Sequence, residues 1–200
     1  MIDNFELIEP LLEFPNEDIY YHLQIIQRKK DCPEIGSNNK VIKSYFICKK
    51  ESLEKIKQEI IDLCKLFNAR AYINLTPKSL KKTTLLQIKY LSERLYMNDL
   101  KKIWKSWNSC AGEIKGEKPR WVVDIDDTNT DFTRLIDMSI ATYEPIKYDE
   151  QGRCHSKVIA TIPTKSGYHL ITTPFNLQKF QEEYPDIDVH KNNPTILYCL

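Results

Sequence analysis

Three aspartates, Asp124, Asp126 and Asp127, follow a short apolar run in the segment RWVVDIDDTNTD. Side chains two positions apart on a strand project from the same face, about 7 Å apart along it. We therefore expect Asp124 and Asp126 to project together, whereas Asp127 points away or begins the loop. Two neighbouring carboxylates repel each other unless a proton or a cation bridges them, and Mg²⁺ or Mn²⁺ prefers such oxygen ligands. The alternative is that one Asp caps the loop and the other is solvated.

A second group of polar residues lies in the segment IPTKSGYHLIT. A Lys165-Ser166-Gly167 turn would place an ammonium group and a hydroxyl at a hairpin tip, where glycine permits close backbone approach. His169 follows on the outgoing strand. These donors suit an anionic ligand such as a phosphate, although an isolated histidine is more often an ordinary strand residue.

A third group of polar residues, the acidic pair Asp186 and Asp188, lies in the segment YPDIDVHKNNPTILY at a strand-like spacing. Asp188 is flanked by Ile187 and Val189, so a strand would hold it. Either aspartate is a candidate for a third carboxylate of the metal site. A surface turn that begins at Pro185-Asp186 is the simpler alternative.

The elements that must position these residues divide the chain at the segment CAGEIKGEKP, whose glycines and proline predict a linker. Before it, the pattern predicts a helix that starts near Asn16, a βαβ-type unit over 41–76 and a long helix from Ser79 to about Ser109. After it, the predicted order is strand, helix, a hairpin of two strands, helix and a final strand in TILYCL. The expected fold is α/β or α+β, with an N-terminal module over 1–111 and a sheet-rich module over 112–200 in one compact unit.

Composition excludes several classes of protein. The 200 residues are 42% hydrophobic and 28% charged, and the net charge is +1, so any nucleic-acid-binding surface must be local. The six cysteines form no C-x-x-C pair, which argues against a zinc ribbon, and Cys154-His155 would bind a metal only with distant ligands. No apolar run approaches membrane-spanning length, and the acidic N-terminus is unlike a signal peptide. We expect a cytoplasmic protein with no membrane partner.

Taken in order, the D-x-D strand, the S-G-x-H hairpin and the apolar-flanked aspartate resemble the catalytic core of archaeo-eukaryotic primases. The resemblance is strongest to the primase-polymerase type of phages and mobile elements and covers residues 120–200. It implies an RRM-like sheet packed against an N-terminal α/β module.

The resemblance assigns a role to each motif. Asp124, Asp126 and Asp188 would be metal ligands for Mg²⁺ or Mn²⁺, with Asp186 competing for the third position. His169, Ser166 and Lys165 would hold the triphosphate of an incoming nucleotide. The implied activity is DNA or RNA nucleotidyl transfer on a single-stranded template or primer-template. Nucleoside triphosphates are the implied substrates, and a helicase or another replication protein is a further expected partner.

Two other classes of function compete with this one. VVDIDDT also resembles the first motif of haloacid dehalogenase-like phosphatases, in which Asp124 would be the nucleophile, Asp126 the general acid and Thr128 a phosphate contact. That family usually has Gly where Asp127 stands, and its lysine normally lies at a helix start. The other alternative is a non-catalytic nucleic-acid-binding module with an inactive primase-like fold, which would stack bases on Trp121 or Tyr168.

Overall fold

The computed structural model of the chain describes residues 1–36, 38–143 and 157–200, so the Cys154-His155 pair lies outside the described residues. Its helices are α1 (Phe5–Ile8), α2 (Lys50–Phe67), α3 (Leu80–Tyr96), α4 (Ser106–Glu113), α5 (Thr130–Thr142) and α6 (Leu177–Glu183). Its strands are β1 (Ile2–Asp3), β2 (Ile19–Gln27), β3 (Lys40–Ile47), β4 (Arg70–Ser79), β5 (Trp121–Ile125), β6 (Val158–Pro163), β7 (Tyr168–Thr172), β8 (Asp188–His190) and β9 (Thr195–Cys199).

The strands form two sheets whose neighbours all pair antiparallel. The first sheet has the order β1-β9-β4-β2-β3, and the second has the order β6-β7-β5-β8. Helices and antiparallel sheets together make the chain an α+β protein, which confirms the expected fold class.

The first sheet contains the predicted βαβ-type unit as β3, α2 and β4. Both strands pair antiparallel with β2, which lies between them, so β3 and β4 run parallel to each other. One face of α2 buries Leu53, Ile60 and Cys64 in a core with Leu23 and other residues of the sheet. Asn68 ends the helix in the left-handed conformation, which Asn adopts at lower cost than most residues.

The predicted helix near Asn16 is wrong, because β2 occupies Ile19–Gln27. Alternate residues Tyr21, Leu23 and Ile25 are buried in the core beneath α2, while His22 lies on the opposite face of the strand. The strand lies between two partners in the sheet, and those tertiary contacts outweigh the N-terminal helix pattern of Asn16 and its acidic neighbours.

The predicted long helix is interrupted. It divides into α3 and α4, and the intervening segment contains Asn98 at φ 53° and Lys102 at φ 57°. Arg94 stabilises this break, since its guanidinium donates to the Asp99 carbonyl at 3.1 Å and pairs with the Asp99 carboxylate at 2.6 Å. The apolar spacing continues across the break, so the pattern alone gives no reason to end the helix.

The second sheet and its helices follow the order β5-α5-β6-β7-α6-β8, which is the βαββαβ arrangement of the ferredoxin-like and RRM-like folds. Helices α5 and α6 bury Ile136, Ile140 and Phe180 in one core with Val123 and Leu170 of the sheet. The opposite face of the sheet contributes residues to the first core, so the second sheet lies between its helices and the first sheet.

The last strand crosses from one half of the chain to the other. β9 follows the second module in sequence but pairs with β1 and β4 of the first sheet. Asn4 adds a second link, because its side-chain amide donates to the Pro163 carbonyl on β6 and to the Ile196 carbonyl on β9, both at 3.0 Å. The division of the chain into two modules between residues 111 and 112 stays a prediction. β9 lies after this division in sequence but belongs to the sheet of the first module.

Within the described residues, we find no helix that is both long enough and apolar enough to cross a membrane.

Candidate functional site

Three predicted site residues lie side by side on adjacent strands of the second sheet. Asp124 on β5 is the cross-strand partner of His169 on β7 and of Asp188 on β8. Direct partners in an antiparallel pair have Cβ atoms about 4.5–5.5 Å apart on one face of the sheet. The register therefore aligns two carboxylates and one imidazole in a row across the sheet.

This row faces the first sheet rather than the helices. Val122 and Ile171, which alternate in phase with Asp124 and His169, belong to the core shared with the first sheet. Val123 belongs to the core beneath α5 and α6. Because side chains alternate along a strand, Asp124 and His169 project toward the space between the sheets.

His169 is held by hydrogen bonds from both sheets. Its Nε2 atom lies 3.3 Å from Asp124 Oδ1, and its Nδ1 atom lies 2.8 Å from the hydroxyl of Thr195 on β9. An ionised carboxylate only accepts, so Nε2 carries a proton in this contact. Thr195 is fully buried, which fixes the imidazole ring at the junction of the two sheets.

Asp124 is ionised more readily than an ordinary aspartate. The hydrogen bond from His169 lowers the pKa of the Asp124 carboxyl, and the nearby His169, His190 and Lys30 lower it further, while partial burial opposes them. A carboxylate that stays ionised and half-buried is suited to binding a cation.

The Lys165-Ser166-Gly167 turn joins β6 to β7, as the sequence predicts, and the Thr164 N–H donates to the Gly167 carbonyl at 2.8 Å. The turn packs directly on the backbone that carries Asp126. A Cβ atom at Gly167 would lie 1.9 Å from the Ile125 carbonyl oxygen, so only glycine fits there. The Ser166 hydroxyl donates to Asp126 Oδ1 at 3.1 Å, which links the second motif to the first.

We expect Gly167→Ala to destabilise the protein by about 1–3 kcal/mol, the usual cost of overpacking, because the Ile125–Asp127 backbone must move to admit a methyl group. Chemical denaturation would measure this loss. Gly112→Ala is the matched control, since beyond the neighbouring backbone of its own helix no atom lies within 4 Å of a Cβ at that position. Equal stability of the two variants would contradict the close packing of the hairpin on the Asp126 loop.

The remaining predicted residues lie at the outer end of the site. Asp126, Asp188 and Asp186 are exposed and border a cavity of about 230 Å³ together with Asp124. Lys165 is exposed at the hairpin tip. Among residues 1–36, 38–143 and 157–200, no three His, Cys, Asp or Glu side chains lie close enough together to hold a metal ion by themselves. The two carboxylates that the sheet register pairs directly are Asp124 and Asp188, so β8 favours Asp188 over Asp186 as the partner of Asp124.

Asp127 has a local structural role. Its Oδ1 atom accepts a hydrogen bond from the Asn129 N–H at 2.8 Å, which closes a turn before α5. Asn129 then caps α5 by accepting from the Asp131 N–H at 2.9 Å. Asp127 therefore shapes the turn that leads into the helix, and Asn129 caps it.

Sequence reasoning missed several residues that line the cleft between the sheets. This cavity, of about 320 Å³, contains Asp124 and His169 on one side and Arg28 and Tyr72 on the other. Arg28 donates to the Tyr72 hydroxyl at 3.3 Å, so the guanidinium is positioned at the cleft. The sequence predicted a helix here, so the strand-like alternation of side chains was not considered. In β2 and the residue after it, that alternation places Arg28 on the same face as His22, toward the cleft.

The aromatic residues named for base stacking do not line this cleft. Trp121 packs edge-on against Phe175, 5.3 Å between ring centroids, in the core beneath the helices. Tyr168 borders a separate cavity with Thr133 and Arg134 of α5. Both rings therefore lie on the helix side of the second sheet.

Comparisons of the chain with protein-family models, with curated proteins and with solved structures find no match.

Proposed function

We propose that the chain is a nucleotidyltransferase of primase-polymerase type, which adds nucleotides to a nucleic-acid strand in the cleft between its two sheets. The observation that carries the proposal is the cross-strand row of Asp188, Asp124 and His169. Its members come from three separated motifs, and a polymerase site needs this combination of carboxylates beside a phosphate-binding donor.

The donor set has the chemistry that Mg²⁺ or Mn²⁺ requires. Asp124 and Asp188 supply neighbouring carboxylates, and Asp126 lies two residues farther along the chain. Mg²⁺ is commonly bound by one or two protein carboxylates together with substrate phosphates and water, so a pair of carboxylates suffices with a triphosphate present. The bound ion would supply charge neutralisation for the attacking and leaving oxygens.

The other residues act on the triphosphate. His169, fixed by Thr195 and Asp124, would contact a phosphate oxygen that lies beside the Asp124 carboxylate. Ser166 and Lys165 would contact the outer phosphates from the hairpin tip. Arg28 lines the facing wall of the cleft and would bind the phosphate of a template or primer strand.

The phosphatase alternative has less support. In that family, strands and helices alternate after the first-motif strand, an order that builds a parallel sheet. In this chain, β5 pairs antiparallel with both of its neighbours. Lys165 lies between two strands rather than at a helix start. Non-catalytic base stacking has less support too, because Trp121 and Tyr168 lie on the helix side of the sheet.

Primer extension and de novo synthesis assays test the proposal. They would be run with Mg²⁺ or Mn²⁺, on DNA and RNA templates, beside a phosphatase assay on a generic phosphomonoester. We expect metal-dependent nucleotide incorporation. Phosphomonoester hydrolysis that is lost in Asp124→Ala, without incorporation on any template, would overturn the proposal in favour of the phosphatase.

We expect Thr195→Val to lower the nucleotide affinity about fivefold, because it removes the hydroxyl that holds His169 Nδ1, and a buried hydrogen bond is worth about 1 kcal/mol. Steady-state kinetics would place the effect in KM. Thr195→Ser restores the hydroxyl and should recover most of the affinity. An equal KM in the Val and Ser variants would contradict the positioning role.

A further inference from the structure

A second polar cavity lies on the first sheet, beside the cleft that contains Asp124. It has a volume of about 170 Å³ and is lined mainly by His22, Gln24, Lys78, Asn108 and Asn192. It shares Tyr72 and Pro194 with the cleft but contains none of the residues assigned above to metal or triphosphate. At about 30 Å³ per water molecule, it has room for a small polyatomic ion.

The cavity contains a buried cation without a counter-ion. Lys78 is 1% exposed, and its ammonium donates to the Ala111 carbonyl on α4. No carboxylate in the described ranges forms a salt bridge with it, and no acidic residue lines the cavity. Burying an unpaired charge is costly, and burial lowers the pKa of the Lys78 ammonium accordingly.

A second buried group beside it has an unused hydrogen-bonding atom. His22 is 8% exposed and stacks on Phe46, with 5.1 Å between ring centroids and 4° between ring planes. Its Nε2 atom is buried and has no hydrogen-bond partner within the described part of the chain. Buried polar atoms are nearly always satisfied, so this nitrogen is available to a hydrogen-bonding ligand.

The walls of the cavity are held in place by separate bonds. Asn74, 7% exposed, donates from Nδ2 to the Asn192 carbonyl at 3.0 Å and to Asn192 Oδ1 at 3.1 Å. Its own Oδ1 accepts from the Thr76 N–H at 2.9 Å. This contact fastens the loop between β8 and β9 to the first sheet, so the cavity is built before any ligand arrives.

We propose that this cavity binds a phosphate group, held by the Lys78 ammonium, the His22 imidazole and the side-chain amide of Asn108. An anion with several acceptor oxygens satisfies both the unpaired charge and the orphan nitrogen, because phosphate accepts from cationic and neutral donors together. Inorganic phosphate, a nucleotide and a nucleic-acid backbone all present this group. The proposal is independent of nucleotidyl transfer, since it uses none of the residues of the Asp124 site.

Phosphate binding is measured by NMR of the full chain labelled with ¹⁵N at histidine, without divalent metal. Inorganic phosphate, a deoxynucleoside triphosphate and a short single-stranded oligonucleotide are titrated separately. We expect the His22 ring signals to shift with at least one of them, and the ligand with the highest affinity identifies the source of the phosphate. Absence of a shift with all three would overturn the proposal.

Two variants and one control sharpen the test. Lys78→Met removes the buried charge and leaves an unbranched side chain one atom shorter. It should weaken binding about 10- to 100-fold, the range of one charge-assisted hydrogen bond. His22→Phe keeps an aromatic ring on Phe46 and should weaken phosphate binding about tenfold. Calorimetry would measure the affinity of both variants. The His22 variant keeps the test decisive if the Lys78 variant does not fold. Lys81→Met, at an exposed lysine nearby, should bind as the unmodified chain does. Unchanged affinity in both cavity variants would overturn the proposal.

Discussion

Asp124→Asn is expected to reduce nucleotide incorporation by about 1000-fold or more. The substitution preserves the size of the side chain but removes the negative charge that His169, His190 and Lys30 stabilise in the ionised form. A metal ion contributes several kcal/mol of transition-state stabilisation, and about 4 kcal/mol corresponds to three orders of magnitude in rate. Primer extension under single-turnover conditions, with Mn²⁺ and a saturating nucleotide, would measure the loss.

Asp127→Asn is the matched control for this prediction. Asp127 lies three residues farther along the same acidic run, but its Oδ1 atom closes the turn before α5. Asparagine retains that acceptor, so the control should keep activity within about twofold, as expected for a surface substitution that preserves its contacts. Similar losses in the two variants would mean that the charge of the loop, rather than the position of Asp124, supports the reaction.

The second large effect is a loss of stability in acid that depends on His22. Burial, together with the nearby Lys78, lowers the pKa of His22 from 6.5 to about 4. The unfolded chain then binds a proton at a higher pH than the folded chain does. Stability conferred by neutral His22 is therefore complete above pH 6.5 and decreases as the pH falls toward 4, by roughly 3 kcal/mol in all.

Urea unfolding at pH 7 and pH 4.5 would measure this contribution. Between pH 7 and pH 4.5, we expect the free energy of unfolding to fall by roughly 2–3 kcal/mol more in the unmodified chain than in His22→Phe. Phenylalanine can stack on Phe46 in the same way but has no titratable nitrogen. Titration of the carboxylates changes the unfolding free energy of both proteins equally, so it cancels when the two changes are subtracted. An identical loss in both would show that His22 titrates normally in the folded chain.

Much of the second module is readable from sequence because its signals are local. The hairpin between β6 and β7 is indicated by the Lys165-Ser166-Gly167 turn between two β-rich runs, and β5 by its short apolar run. The structure adds a physical reason for Gly167, which packs on the Ile125 carbonyl. The order of strands in the sheet then brings Asp188 and His169 to either side of Asp124.

Features that depend on distant contacts were not predictable in the same way. Strand β2 has a helix-like start in sequence and becomes a strand because β3 and β4 pair with both of its edges. Thr195 reaches His169 only because the last strand enters the first sheet. Lys78 and His22 were not singled out, since their significance lies in a cavity that four separate segments enclose.

The most direct measurement is anomalous diffraction from crystals of the chain grown with Mn²⁺ and a non-hydrolysable nucleoside triphosphate. We expect an anomalous peak within bonding distance of the Asp124 and Asp188 carboxylates, with the triphosphate extending toward His169 and the Ser166 hairpin. A nucleotide bound without metal, or a Mn²⁺ peak remote from Asp124, would contradict the assignment of this cleft as a metal-dependent nucleotidyl-transfer site.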